Sequence, residues 1–148
     1  MSIHTRPIEI LLVEDSPSDA LMTREALAEL RLLNDLHEVD NGADALAYLR
    51  RTGRFAAVAR PDLMLLDWKL PGMSGEEVLA EIRRDPDLTD LPVVVLSTSR
   101  AEEDVLRSYG LHANCYITKP IEFERFVEVI RTVGDFWFSI VTLPRDAR

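Results

Sequence analysis

Cysteine is nearly absent. The single Cys115 in 148 residues excludes an internal disulfide and a cysteine-based zinc site, suits a reducing cytoplasm, and is expected to act as small core packing. Three histidines, His4, His37 and His112, stand apart without ligand spacing, so they read as structural or exposed. Basic residues are the minority: 17 against 26 acidic give a formal charge of −9, which disfavours nucleic acid or an anionic membrane as the main partner and suits a cation or a basic protein. No uninterrupted apolar run is long enough to span a membrane, and the N-terminus lacks the apolar core of a signal peptide. No repeat or low-complexity tract interrupts a composition of 47% hydrophobic and 29% charged residues, which is that of a folded globular protein. The expectation is one cytoplasmic domain over residues 1–148, with no room for a second catalytic or DNA-binding unit.

A Gly-rich phosphate loop is missing too. After the first apolar run stands Glu14-Asp15-Ser16-Pro17, the opposite of what a flavin or nucleotide carrier needs there. What stands out instead is Pro61-Asp62-Leu63-Met64-Leu65-Leu66-Asp67, an apolar run closed by a carboxylate and followed by Trp68-Lys69-Leu70-Pro71-Gly72. Bounded by Pro and Pro-Gly, it reads as a strand buried on both faces. Asp67 then leaves the sheet at its carboxyl edge, where open α/β sheets bind ligands. Taken alone, it can equally be a strand-end Asp that caps the next loop.

Ile8 to Val13 is a second such strand, ending on Glu14 and Asp15. Ser16-Pro17 with Asp19 marks a helix start by N-cap hydroxyl, first-position Pro and first-turn acid, and the helix runs on through Leu21, Met22, Leu27 and Leu30. Asn34 and Asp35 break that pattern, and Leu36 to Val39 is a short, weak strand expected near the sheet edge. Asn41-Gly42 reads as a turn before a helix from Ala43 to Arg51 that turns Ala45, Leu46 and Leu49 inward. The connection from Thr52 to Arg60 is long and basic, with Arg50, Arg51, Arg54 and Arg60 in or beside it, so it is either mobile or a contact surface. Met73-Ser74-Gly75 leads into a helix carrying Val78, Leu79 and Ile82, which Asp85-Pro86 ends.

Leu91 to Leu96 is almost purely β-branched, hence central, and runs into Ser97-Thr98-Ser99. Glu102 to Tyr109 reads as a fourth helix with Gly110 as its C-cap, Cys115 to Thr118 as a last strand ending on Lys119-Pro120, and Phe123, Phe126, Val127, Ile130 and Val133 as a final helix. Strict alternation of buried strands and helices implies an α/β fold with a parallel sheet. Right-handed crossovers leave few windings, and the flavodoxin-like doubly wound order 2-1-3-4-5 is expected.

In that winding the carboxyl ends of neighbouring strands bring Glu14, Asp15, Asp67, Ser97 and Lys119 to one edge. Three carboxylates that close repel one another, which implies a hard cation such as Mg²⁺ with oxygen ligands. A Lys beside metal and acid suits a phosphoryl oxygen, and Ser97 can donate to another. The edge reads as a place for phosphoryl transfer, with Asp67 as the nucleophile. Lys119 alone would be a solvated strand-end Lys; beside Asp15 and Asp67 the functional reading is the stronger one.

These residues, in this order, resemble the receiver domain of two-component response regulators over about Ile8 to Val133. The resemblance implies that Asp67 accepts a phosphoryl group from the phosphohistidine of a sensor histidine kinase or a histidine phosphotransfer protein. It implies that Glu14, Asp15, Asp67 and the main-chain carbonyl of Lys69 hold Mg²⁺. It further implies that Lys119, Ser97 and main-chain groups of Trp68 and Thr98 bind the phosphoryl group, and that the Lys119–Pro120 bond is cis. In such receivers the hydroxyl at Ser97 moves to the phosphoryl group and the aromatic at Tyr116 turns inward behind it. Ser97 takes the place of the commoner Thr and keeps the hydroxyl. Tyr116 can also be a half-buried strand aromatic only. Lys69, two residues past Asp67, is either surface decoration apart from its carbonyl or a side chain that tunes attack by water.

The long loop after the second helix, the Val95-Leu96-Ser97-Thr98-Ser99 stretch and the tail Phe136-Trp137-Phe138-Ser139-Ile140-Val141 resemble the single-domain regulators that pair with phytochromes. Val129, Phe136, Phe138 and Val141 fall off the stripe that Phe126, Ile130, Val133, Trp137 and Ile140 would bury. That surplus of apolar surface in the last helix and tail (134–148) predicts a homodimer, with the fourth helix and fifth strand as further candidates; the alternative is a tail folded back on its own domain.

Two other function classes compete. An aspartate-nucleophile phosphohydrolase of similar layout places a second Asp two residues after the nucleophile, and here that residue is Lys69, so the expectation is a non-enzymatic phosphoacceptor that loses its phosphoryl group slowly. A metal-binding interaction module without chemistry would not need both Asp67 and Lys119.

Overall fold

The computed structural model describes residues 7–28, 34–99, 101, 113, 115–119, 124 and 128. Its strands are β1 (Ile8–Val13), β2 (Asn34–Val39), β3 (Leu63–Asp67), β4 (Val93–Ser97) and β5 (Cys115–Thr118), and its helices are α1 (Pro17–Ala28), α2 (Gly42–Arg50) and α3 (Gly75–Arg84). All strands are parallel, in the order β2-β1-β3-β4-β5, so the expected doubly wound α/β winding is the observed one. The fourth helix, Gly110, the stripe and tail of the last helix with Val129, Phe136, Phe138 and Val141, the Lys119–Pro120 bond and the Cys115 side chain lie outside the described residues.

Side-chain alternation splits the interior into two layers. Leu11, Val13, Met64, Leu66, Val93, Val95 and Tyr116 face one way and pack on Ala45, Leu46 and Leu49 of α2 and Val78, Leu79 and Ile82 of α3. Ile10, Leu12, Leu63, Leu65, Val94, Leu96 and Ile117 face the other way, against Ala20, Ala26 and Leu27 of α1. Each fully buried Leu, Ile or Val contributes about 1.5–3 kcal/mol, and this is why the central strands are apolar at nearly every position before their polar ends.

Local chemistry sets the ends. Asp19 N–H donates to the Ser16 hydroxyl at 3.3 Å, so Ser16 caps α1 as its spacing implies. Ser74 and Glu77 form a capping box at the start of α3. Asn41-Gly42 proves to be a helix start instead of a free turn: the Asn41 side chain accepts the Asp44 N–H at 2.8 Å and caps α2. β2 begins two residues before Leu36, because main-chain pairing of Asn34 and Asp35 with Ile8 and Glu9 asks nothing of side chains at an exposed edge. On α1 the buried face is Ala20, Thr23, Ala26 and Leu27, while Leu21 and Met22 are exposed at 47% and 44%. Thr23 tolerates burial because its hydroxyl donates to the Asp19 carbonyl at 3.0 Å.

The basic connection is turned back onto its own domain. Arg54 pairs with Asp44 at 2.6 Å and lies over the Phe55 ring, Arg50 reaches Glu81 and Asp85 at 3.3 Å, and Arg60 donates to the Asp87 carbonyl. These exposed contacts are screened by solvent and hold the loop and the ends of α2 and α3 together only weakly.

Candidate functional site

The register brings four strand ends together. Val13 lies beside Leu66, Asp67 beside Leu96, and Ser97 beside Thr118, so the residues just past β1, β3, β4 and β5 share one rim. The Lys119 N–H donates to the Ser97 carbonyl at 2.7 Å, which carries the β5 ladder one residue on and aims the Lys119 side chain at the ends of β1 and β3. At the other end, Asp62 N–H donates to the Glu9 carbonyl at 2.7 Å and the Asp62 side chain accepts the Glu9 N–H at 2.9 Å, pinning the start of β3 to β1.

Lys119 Nζ lies 2.9 Å from Glu14 Oε1, 2.9 Å from Asp19 Oδ2 and 3.2 Å from Asp67 Oδ1. It is no solvated strand-end lysine. Glu14, Asp15 and Asp67 form the expected carboxylate trio, each offering an oxygen within 4.8 Å of the others; Glu14 and Asp67 are buried and Asp15 is exposed. Asp19 was legible only as a first-turn acid.

Ser97 is buried, and its hydroxyl donates to the Ser99 carbonyl at 3.3 Å. Tyr116 is buried in the layer shared with α2 and α3. Thr98 is exposed at the rim. The Trp68 N–H donates to the Leu96 carbonyl at 2.9 Å and its carbonyl accepts from Gly75 at 3.1 Å. The amide turned to the Asp67 carboxylate is that of Lys69, 3.4 Å from Oδ1. The Lys69 residue itself is exposed.

Electrostatics explain why these acids tolerate one another. Burial pushes Asp67 up, the Glu14 carboxylate raises it further, and Lys119 pulls the other way, leaving it at about 7. Burial pulls the Lys119 ammonium down, but Glu14, Asp19 and Asp67 outweigh it and hold the lysine well above its ordinary value. Glu14 Oε2 accepts the Ser16 N–H at 3.3 Å, whereas the buried Oε1 has no hydrogen bond, only its ion-pair contact with Lys119. A buried carboxylate oxygen in that condition, in an all-oxygen donor set with more negative than positive charge, fits a hard divalent cation.

The profile of the family described as "Response regulator receiver domain" matches residues 10–131. The chain belongs to this family. Response regulator Rcp1 of Synechocystis sp. is 44% identical to this receiver over 138 residues, covering 93% of this chain and 94% of that protein. The bacteriophytochrome response regulator RtBRR superposes with a TM-score of 0.82 at 44% identity, covering 87% of this receiver and 79% of that chain. The phosphorylated cyanobacterial phytochrome response regulator RcpA gives 0.75 at 45% identity over 93% of this receiver and 98% of that chain. The Mn²⁺-bound form of Rcp1 gives 0.74 at 43% identity over 92% and 98%. The receiver is therefore a phosphoacceptor of two-component signalling, and receivers take their phosphoryl groups from sensor histidine kinases.

Proposed function

We infer that Asp67 is the phosphoacceptor and that the chain works as a single-domain response regulator, with a receiver core over about 8–133 followed by its own C-terminal extension. The observation that carries this reading is the placement of Lys119 between Glu14 and Asp67, with the carboxylate trio within 4.8 Å at the carboxyl edge of the sheet. An Asp67 oxygen attacks phosphorus, forming the P–O bond as the P–N bond to the donor histidine breaks and the imidazole nitrogen keeps the electron pair. Lys119, 3.2 Å from Asp67, favours the ionised carboxylate that attacks and then meets the charge of the transferred group. The Lys69 amide lies beside the acceptor and can donate to a phosphoryl oxygen.

Glu14, Asp15, Asp67 and the Lys69 carbonyl would hold the cation, and Mg²⁺ bound there supplies charge neutralisation for the transferring oxygens. Ser97 leaves the Ser99 carbonyl to reach the phosphoryl group, with Tyr116 behind it as the packed half of the switch. The acyl phosphate is lost slowly by attack of water, at a rate tuned by the Lys69 side chain. The relatives named for phytochromes support a phytochrome-class sensor kinase as donor, directly or through a histidine phosphotransfer protein, in the cytoplasm. The apolar surplus at Val129, Phe136, Phe138 and Val141 supports a homodimer.

Incubation with Mg²⁺ and a small-molecule phosphodonor tests the reading. Wild type should gain one phosphoryl mass, acid-stable and hydroxylamine-labile, and Asp67→Asn should gain none. Labelling of Asp67→Asn at the wild-type rate would refute the assignment. Light scattering at micromolar concentration decides the homodimer, which a monomeric mass would refute.

A further inference from the structure

The Lys119 ammonium lies against three carboxylates and donates a hydrogen bond to Asp19 at 2.9 Å. An ammonium has three donors, and here Glu14, Asp19 and Asp67 stand at 2.9, 2.9 and 3.2 Å from it. A phosphoryl oxygen arriving on Asp67 gains this lysine only if one carboxylate gives up its share. The three are not equal candidates. The side chains of Glu14 and Asp67 are 1% and 4% exposed, so an oxygen released there loses its partner without gaining water, whereas Asp19 is 37% exposed and rehydrates at once. Asp19 also belongs to a different element, the first turn of α1, and is no part of the carboxylate trio.

We propose that Asp19 is a positioning residue that parks Lys119 in the resting receiver and yields it when the phosphoryl group arrives. Asp19 touches neither donor nor acceptor oxygen; it acts by setting how readily Lys119 changes partners. Its side chain stabilises the resting arrangement and has no counterpart once Lys119 turns to the phosphoryl oxygens. Removing its charge therefore favours the phosphorylated arrangement. It also takes one negative charge off the rim that an anionic phosphodonor must approach. The resting contact is a half-exposed, charge-assisted hydrogen bond of about 1 kcal/mol, which corresponds to about five-fold.

The inference rests on Asp67 as phosphoacceptor, and the test separates the two. Wild type, Asp19→Asn, Asp19→Glu and Asp67→Asn are titrated with beryllofluoride in Mg²⁺ as a phosphoryl mimic, with Mg²⁺ alone, and timed for labelling by phosphoramidate. Asp19→Asn should bind beryllofluoride and become labelled about five-fold better than wild type, with Mg²⁺ affinity equal or slightly weaker. Asp19→Glu, which keeps the charge and reaches Lys119, should return to within about two-fold of wild type. A general loosening of α1 would weaken both ligands together and would not be rescued by Glu. Beryllofluoride binding by Asp19→Asn that equals wild type or is weaker overturns the proposal. Failure of wild type to bind beryllofluoride or accept phosphoryl, alongside Asp67→Asn, overturns the acceptor assignment itself and the proposal with it. A melting curve shared by Asp19→Asn and wild type ties the shift to Lys119, and Asp19→Ser repeats the test if the Asn variant melts early.

Discussion

Gly75 and Trp68 meet backbone to backbone: the Gly75 N–H donates to the Trp68 carbonyl at 3.1 Å, and a Cβ on Gly75 would stand 2.8 Å from Trp68 Cα and 2.7 Å from the Asp67 carbonyl. The first turn of α3 is thereby pressed against the chain that leaves β3. The contact holds Asp67 where Lys119 can reach it, so this glycine serves the site although its φ is unremarkable. Gly75→Ala should destabilise the fold by about 1–3 kcal/mol through overpacking, and it should slow phosphoryl uptake because either the helix or the Asp67 main chain must retreat. Thermal melting with a labelling time course checks both effects; uptake at the wild-type rate would mean that the helix alone gives way.

Ser74, one residue earlier, should behave differently. Its hydroxyl accepts the Glu77 N–H at 3.2 Å and its own N–H donates to Glu77 Oε1 at 3.2 Å, so it organises the helix end and does not touch the rim. Ser74→Ala should cost about 1 kcal/mol, a fall in Tm of roughly 3 °C, with phosphoryl uptake nearly unchanged. The pair of variants separates a helix start that is merely stable from one that positions Asp67.

A pH dependence follows from Asp67. Its folded value is raised to about 7 from the ordinary 3.8, chiefly by burial and then by Glu14. The neutral form is therefore the one the metal-free fold prefers. Its stabilising share is complete below pH 4 and is lost as pH rises through about 7. In chelator, wild-type Tm should decline from pH 5 to pH 8 relative to Asp67→Asn, which stays neutral throughout. The gap in Tm between the two should open by several degrees across that window and close again when Mg²⁺ is added. A gap that stays constant with pH would mean that Asp67 is already ionised in the metal-free protein.

Much of this was legible in the sequence because burial leaves a strong mark. β1, β3 and β4 are buried on both faces, so their apolar runs and terminal acids or hydroxyl announce a central parallel strand without reference to the rest of the chain. The trio and Lys119 followed from strand order alone, since parallel winding puts every strand's carboxyl end at one rim. What escaped is set by pairings that composition does not record. Asn34 and Asp35 join β2 through their main chain. Leu21 and Met22 lie outside the α1 stripe because small Ala20 and Ala26 are what the sheet admits there. Asp19 and Lys119 stand 100 residues apart, and no local pattern links them.

Lys119 itself gives two effects of opposite sign. Its ammonium stands beside Glu14 and Asp67, two of the three acids that would hold a divalent cation, so it competes with that cation for the same oxygens. At an effective dielectric near 20, a unit charge a few ångströms away is worth a few kcal/mol. Lys119→Met keeps the length of the stem and removes the charge, and it should tighten Mg²⁺ binding by about ten-fold or more, read by calorimetric titration. The same variant should fall in stability in chelator, because Glu14 and Asp67 then face each other with no cation between them, and Mg²⁺ should restore most of the loss. Phosphoryl uptake should nonetheless drop by more than about ten-fold, since the charge that meets the transferred group is gone. Tighter metal binding together with slower uptake would separate Lys119 as partner of the phosphoryl group from Lys119 as neutraliser of the acids; weaker metal binding would place its main role in holding Glu14 and Asp67 in position.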